Sequence, residues 1–123
     1  MIRTSEYVKA LIDKINETHI CYYEDVPKGI EYPYMYIPTI NINGIGESGE
    51  TSNFDIQIWH IEGEDGDIDD LADAIRNALD RITINKNGSF TSHIYFQNQN
   101  IVRDLEPDLI LRELSFTARI FYT

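Results

Sequence analysis

The stretch SNFDIQIWHIEGEDGDIDDLADAIRNALDRI, Ser52 to Ile82, passes from an alternating segment through an acidic loop into a segment of helical period. Phe54, Ile56 and Ile58 fall on one side of the first part, and Asp55, Gln57 and Trp59 on the other. A period of two marks a strand with one buried face. The run Glu62-Gly-Glu-Asp-Gly-Asp-Ile-Asp-Asp then breaks the strand, and Asp67 or Asp69 is placed to cap the first free N–H groups of a helix. Ile68, Leu71, Ala72, Ile75, Leu79 and Ile82 recur at helical spacing and make one apolar stripe. A half-buried strand feeding a half-buried helix folds one onto the other, and no residue of this unit looks catalytic.

Upstream, Thr4 or Ser5 caps a first helix whose inward stripe is Val8, Leu11, Ile12 and Ile15, ending near Asn16. His19 to Tyr23 is a short strand-prone run. A loop follows, punctuated by Pro27, Gly29 and Pro33. Tyr34 to Ile42 reads as a strand that Pro38 confines to an edge or a bulge, and Gly44 to Glu50 as a glycine-rich turn. Downstream, Asn85 to Ser89 is a turn with Asn87-Gly88 as its hairpin signal. His93 to Gln97 is a strand, and Asn98 to Asp108 a polar loop. Leu109 to Tyr122 is the last strand, with Leu114, Phe116, Ala118 and Ile120 inward and Glu113, Ser115, Thr117 and Arg119 outward. Fourteen strand residues reach roughly 45 Å, so a bulge or break near Glu113, or an overhang, is expected. The reading is α+β: one domain over residues 1–123, a mixed, mostly antiparallel sheet, and two helices on one of its faces.

Composition narrows the function. With 21 acidic and 10 basic residues, the net charge of −11 repels phosphate backbones, which argues against specific nucleic-acid binding. Cys21 is alone, so no internal disulfide forms. No signal peptide or membrane-spanning stretch is visible, and the expected compartment is a cytoplasm.

The motifs favour plain readings. Gly44-Ile-Gly-Glu-Ser-Gly49 matches the dinucleotide fingerprint in letters, but it leads into a strand, and Glu47 and Glu50 would repel pyrophosphate. Asp65, Asp67 and Asp69 alternate as in a calcium loop, yet Asp70 stands where its glycine belongs and Arg76 where its bidentate glutamate belongs. No metal site or cofactor is expected. Glu47, Glu50, Glu62, Glu64, Asp65 and Asp67 read as solvated loop acids. His19, His60 and His93 lack zinc spacing, and His60 reads as a surface histidine at a strand end. Cys21 reads as packing. Tyr22, Tyr23, Tyr32, Tyr34 and Tyr36, beside Glu24, Asp25 and Glu31, read as a core edge or a protein interface. No nucleophile, base and orienting group come together, so no enzyme is expected.

In order and spacing the chain resembles the tail terminator, or tail-completion, proteins of long-tailed bacteriophages and prophages. The resemblance rests on the opening helix; Val26-Pro27 leading to Tyr32-Pro-Tyr34; the strand Phe54-Asp-Ile-Gln-Ile-Trp-His60; the helix Ile68 to Leu79; a variable hairpin; and the approach Asp104 to Glu113 into a final strand. It departs in its acidic pre-helix loop and in Leu105-Glu-Pro-Asp108. The resemblance implies a virion structural protein: a hexameric ring on the head-proximal end of the tail tube, contacting the tube protein and the head connector, with DNA passing through. Acids such as Glu47, Glu50, Glu62, Glu64, Asp65 and Asp67 would keep a lumen, or the loops around it, from holding DNA. An acidic intracellular inhibitor or immunity-type binding protein is the reading from a different class.

Strict alternation also turns Trp59 and Ile61 away from the helices. The indole is then covered either by a loop of its own subunit, after Ile61 or at Asn87, or by a neighbouring subunit. With Glu113, Ser115, Thr117 and Arg119, it makes up the candidate subunit interface.

Overall fold

The computed structural model of the protein describes residues 4–44, 49–63, 65–106 and 108–122. Among them the chain forms α1 (Thr4–Asn16), β1 (Cys21–Tyr23), β2 (Tyr34–Ile37), β3 (Ile40–Gly44), β4 (Glu50–Ile61), α2 (Asp65–Leu79), β5 (Ile82–Lys86), β6 (Phe90–Glu106) and β7 (Leu109–Tyr122). The seven strands make one sheet in the order β1-β2-β4-β7-β6-β5, with β3 also paired to β4. Only β1 and β2 run parallel. The fold is α+β, as its period-two and period-3.6 stripes require.

Both helices pack on one face. Phe54, Ile56 and Ile58 of β4 and Leu114, Phe116, Ala118 and Ile120 of β7 point into the core. They meet Tyr7, Leu11 and Ile15 of α1 and Ile68, Ala72, Ile75 and Leu79 of α2. Each such Ile or Leu contributes about 1.5–3 kcal/mol of burial, far more than helix propensity supplies. Phe116 stacks on Phe54 and meets Phe96 edge-on, and the Arg76 guanidinium caps Phe96 at 4.1 Å from the ring centre. At the end of α1, the Asn16 side chain donates to the Ile12 carbonyl (2.8 Å) and accepts from the Cys21 N–H (2.9 Å), which sets β1 beside the helix terminus.

Several local expectations are corrected. The polar run Asn98 to Glu106 is strand, not loop: β7 supplies its partners from Asn98↔Ser115 to Glu106↔Leu109. The irregularities expected near Glu113 lie instead in β6, between Phe96 and Asn98 and between Val102 and Glu106, while β7 pairs with β4 in unbroken register. The helix begins at Asp65, so Asp67 and Asp69 sit within it and are not its cap. It ends at Leu79 and not at Ile82, because Arg81 turns to φ 61° and donates its N–H to Ile94 O. The neighbouring Asp80 carboxylate accepts the Phe96 N–H at 2.9 Å. Ile82 thus opens β5, a strand the sequence reading did not include, and the expected turn at Asn87-Gly88 joins it to β6 as a hairpin. Pro38 and Thr39 divide the stretch from Tyr34 to Ile42 into β2 and β3.

His60 is fully buried, not a surface residue. The alternation of Phe54, Ile56 and Ile58 continues through it, and β4 ends one residue later.

Candidate functional site

The face opposite the helices carries none of them, and the register arranges its side chains in rows across the strands. Tyr34 lies opposite Trp59, Trp59 opposite Leu111, and Leu111 opposite Val102. The next row is Tyr36, Gln57, Glu113 and Asn100, followed by Asp55, Ser115 and Asn98. Asn41, Asn53, Thr117 and Tyr95 form a further row, and Asn43, Thr51, Arg119 and His93 the last of these. The sequence-based candidates Trp59, Ile61, Glu113, Ser115, Thr117 and Arg119 therefore share one face along two adjacent strands. Parity alone reveals this, because cross-strand partners keep the same side.

The row at one end is apolar. The indole of Trp59 and the ring of Tyr34 are nearly parallel, with centroids 6.4 Å apart, and Tyr32 stacks on Tyr34 in turn at 5.6 Å. Ile20, Tyr32, Ile61 and Val102 add exposed apolar surface at the same end. The Asn87 turn, expected as one possible cover for the indole, is far away, since Phe90 pairs with Tyr122 and Trp59 with Leu111. Tyr34 is among the tyrosines read from the sequence as a core edge or a protein interface, but its stacking on Trp59, and the place of Leu111 in the row, depend on register across distant segments and were missed.

The middle rows are tied by side-chain hydrogen bonds. Trp59 Nε1 donates to Gln57 Oε1 (3.1 Å), Gln57 Nε2 to Glu113 Oε2 (3.2 Å), and Ser115 Oγ to Asp55 Oδ1 (2.5 Å). Thr117 Oγ1 reaches the Ser52 carbonyl at 3.4 Å. At the far end Arg119 sits 5.9 Å from the Phe121 ring centre, and His93 meets the same ring edge-on. These bonds hold the polar side chains in fixed positions. The resulting surface can dock a partner, with a hydrophobic anchor at one end and oriented donors and acceptors beside it.

Among the described residues the acidic set is not brought together, since Glu50 opens β4 and Glu62 follows its other end. Glu47 and Glu64 lie outside the described residues. Glu62 is exposed just after β4. Asp65 and Asp67 lie in the first turn of α2 and not in a loop. Glu50 is the first residue of β4, half-buried beside the Tyr122 hydroxyl, whose pKa is raised by burial and by this carboxylate. The glycine motif before it has a structural use at Gly49. That residue has φ 127°, and a Cβ there would lie 2.1 Å from the Ile120 carbonyl oxygen.

The helix face holds two further groups. Arg112, buried in β7, forms an ion pair with Asp69 of α2. Cys21 is buried, and burial pushes its thiol up to about 12, which suits packing and not nucleophilic attack. Among the described residues no three or more His, Cys, Asp or Glu side chains group as metal ligands would.

The fold matches that of a known protein. A chain from a structure described as the virion of a native gene transfer agent particle superposes with a TM-score of 0.71. It is 17% identical in sequence, and the match covers 93% of this chain and 96% of the other. No curated protein is similar to the chain at a significant level. The family described as "Tail completion protein gp17" matches residues 2–121. The chain belongs to that tail completion family.

Proposed function

We propose that this protein assembles into a hexameric ring that caps the head-proximal end of a phage tail tube, stops its growth and joins it to the head connector. Its part is structural, without catalysis or cofactor. The observation that carries this reading is the family match over residues 2–121, which makes the chain a structural component of phage tails. The face described above supports the finer part, because Tyr34 and Trp59, with the exposed Ile61 and Val102 at the same end and fixed polar groups beside them, have the make-up of a protein contact. We assign Trp59, Ile61, Glu113, Ser115, Thr117 and Arg119 to contacts between subunits or with the tube and connector. Glu62, Asp65 and Asp67 we assign to the DNA side of the ring. There negative charge lets DNA slide past without sticking. Assembly in a host cytoplasm and incorporation into the tail follow from the same reading.

The test is to produce tails with this gene deleted and examine them by electron microscopy. Overlong, headless tubes that regain heads when purified protein is added are the expected result. Tails of normal length already joined to heads would overturn the proposal.

A further inference from the structure

The two longest stretches free of Asp, Glu, Lys and Arg are Tyr32 to Gly46, 15 residues, and Asn87 to Val102, 16 residues. In a chain whose composition is 25% charged, two such runs are conspicuous. The fold sends them to opposite sides of the sheet, the first into β2 and β3 and the second into β6. Both sides present open strand edge among the described residues. β3 pairs with β4 alone. β5 covers β6 only from Phe90 to Ile94, and Asp80 takes the Phe96 N–H. From Gln97 onward, β6 pairs with β7 on its inner side only.

Open edges that invite pairing are normally blunted with Lys, Glu or Pro. Neither β3 nor the stretch from Gln97 to Val102 has any of these. Each edge instead projects exposed asparagines from the helix-free face: Asn41 and Asn43 on one side, Asn98 and Asn100 on the other. Primary amides both donate and accept, so such rows complement each other without charge.

We infer that β3 of one copy pairs with the outer edge of β6, beyond Phe96, of the next copy, so that the sheet continues from subunit to subunit. A second copy is the occupant the charges select. Two molecules of net charge −11 repel, and these uncharged edges are where they meet at least electrostatic cost. The two edges differ, so the contact is head-to-tail and closes into a ring when the rotation per copy permits. The inference rests on the ring reading above and names the contact that builds it.

The test uses the full chain and two double variants at exposed positions, Asn41→Glu with Asn43→Glu and Asn98→Glu with Asn100→Glu. Unchanged circular dichroism and melting establish that each folds. Native mass spectrometry and sedimentation across a concentration series, with and without isolated tail tubes, then follow assembly. Each variant alone is expected to need at least about tenfold more protein to assemble. An equimolar mixture is expected to stop at a heterodimer, since one intact edge pair remains between the two. Combining Asn98→Lys and Asn100→Lys with Asn41→Glu and Asn43→Glu restores assembly through opposite charges, which also covers the case in which a glutamate variant fails to fold. If the unaltered protein assembles and both glutamate variants do so equally well, the edge pairing is wrong and the ring stands. If the unaltered protein stays monomeric even on tubes, the ring reading fails, and the pairing with it.

Discussion

The indole of Trp59 lies 19° from parallel with the ring of Tyr34, on neighbouring antiparallel strands, and donates its N–H to Gln57 two residues back in its own strand. One side of the indole is thereby occupied and its orientation fixed, while the row it belongs to faces away from both helices. A residue held this way is preorganised for a partner, so little conformational entropy is lost on docking.

Trp59→Ala is therefore expected to leave the protein folded, with a melting temperature lowered by only a few degrees. Assembly on tail tubes is expected to be lost, because a central aromatic anchor is worth ~2 kcal/mol or more. Thermal melting beside microscopy of reconstituted tails separates the two effects. Full assembly with a large loss of melting temperature would make the indole ordinary packing.

Asp69→Asn is expected to cost about 1–2 kcal/mol in urea unfolding, because the buried Arg112 loses an anionic partner. The figure stays below that of a fully buried pair because the Asp69 side chain is 61% exposed. A change below a few tenths of a kcal/mol would mean that the pair contributes little.

Stability is expected to fall on the alkaline side. Burial raises Tyr7 from 10.0 to about 12 and Cys21 from 9.0 to about 12. Both pKa values are higher folded than unfolded, so their contribution is complete below pH 9 and disappears between pH 9 and 12. Each group adds a slope of up to about 1.4 kcal/mol per pH unit within its window. Denaturant titrations of the wild type and of Tyr7→Phe should diverge above pH 10, the variant losing stability less steeply.

Cys21 is expected to resist thiol reagents at pH 8 in the folded protein and to react fully in denaturant, since it is buried with a raised pKa. Labelling followed by mass spectrometry measures both states.

Duplex DNA is expected not to bind at physiological salt, because 21 acids against 10 bases leave no gain from counterion release. A salt-sensitive gel shift at micromolar protein would contradict this.

What could be read in the sequence was whatever has a local period. Phe54, Ile56 and Ile58 show the strand, Ile68 to Leu79 the helix, and parity sets Glu113, Ser115, Thr117 and Arg119 outward. Residues that depend on distant pairing could not be read this way. Asn98 to Asn100 has the composition of a loop and becomes strand only because β7 lies beside it. His60 looked exposed because its polarity outweighed its place in the inward series. Tyr7 is fully buried in a helix where Val8 and Ile12 had seemed the better core residues, its ring packed edge-on against Phe90 of a strand distant in sequence. The apolar row joins residues of β2, β4, β6 and β7, and no local pattern announces it.

The strand that holds the sheet together, β7, follows in the chain every strand it joins. It lies between β4 and β6, and Phe116 finds Phe54 across about sixty residues of chain. During synthesis β4 therefore leaves the ribosome with one long edge bare and keeps it so until Leu109 to Tyr122 has emerged. Such a high contact order makes for slow closure, and the half-made sheet is the stage most open to aggregation. A chain that ends before Leu109 leaves bare the apolar residues of β4 and β6 that β7 would pair with, so the final strand decides whether the sheet closes.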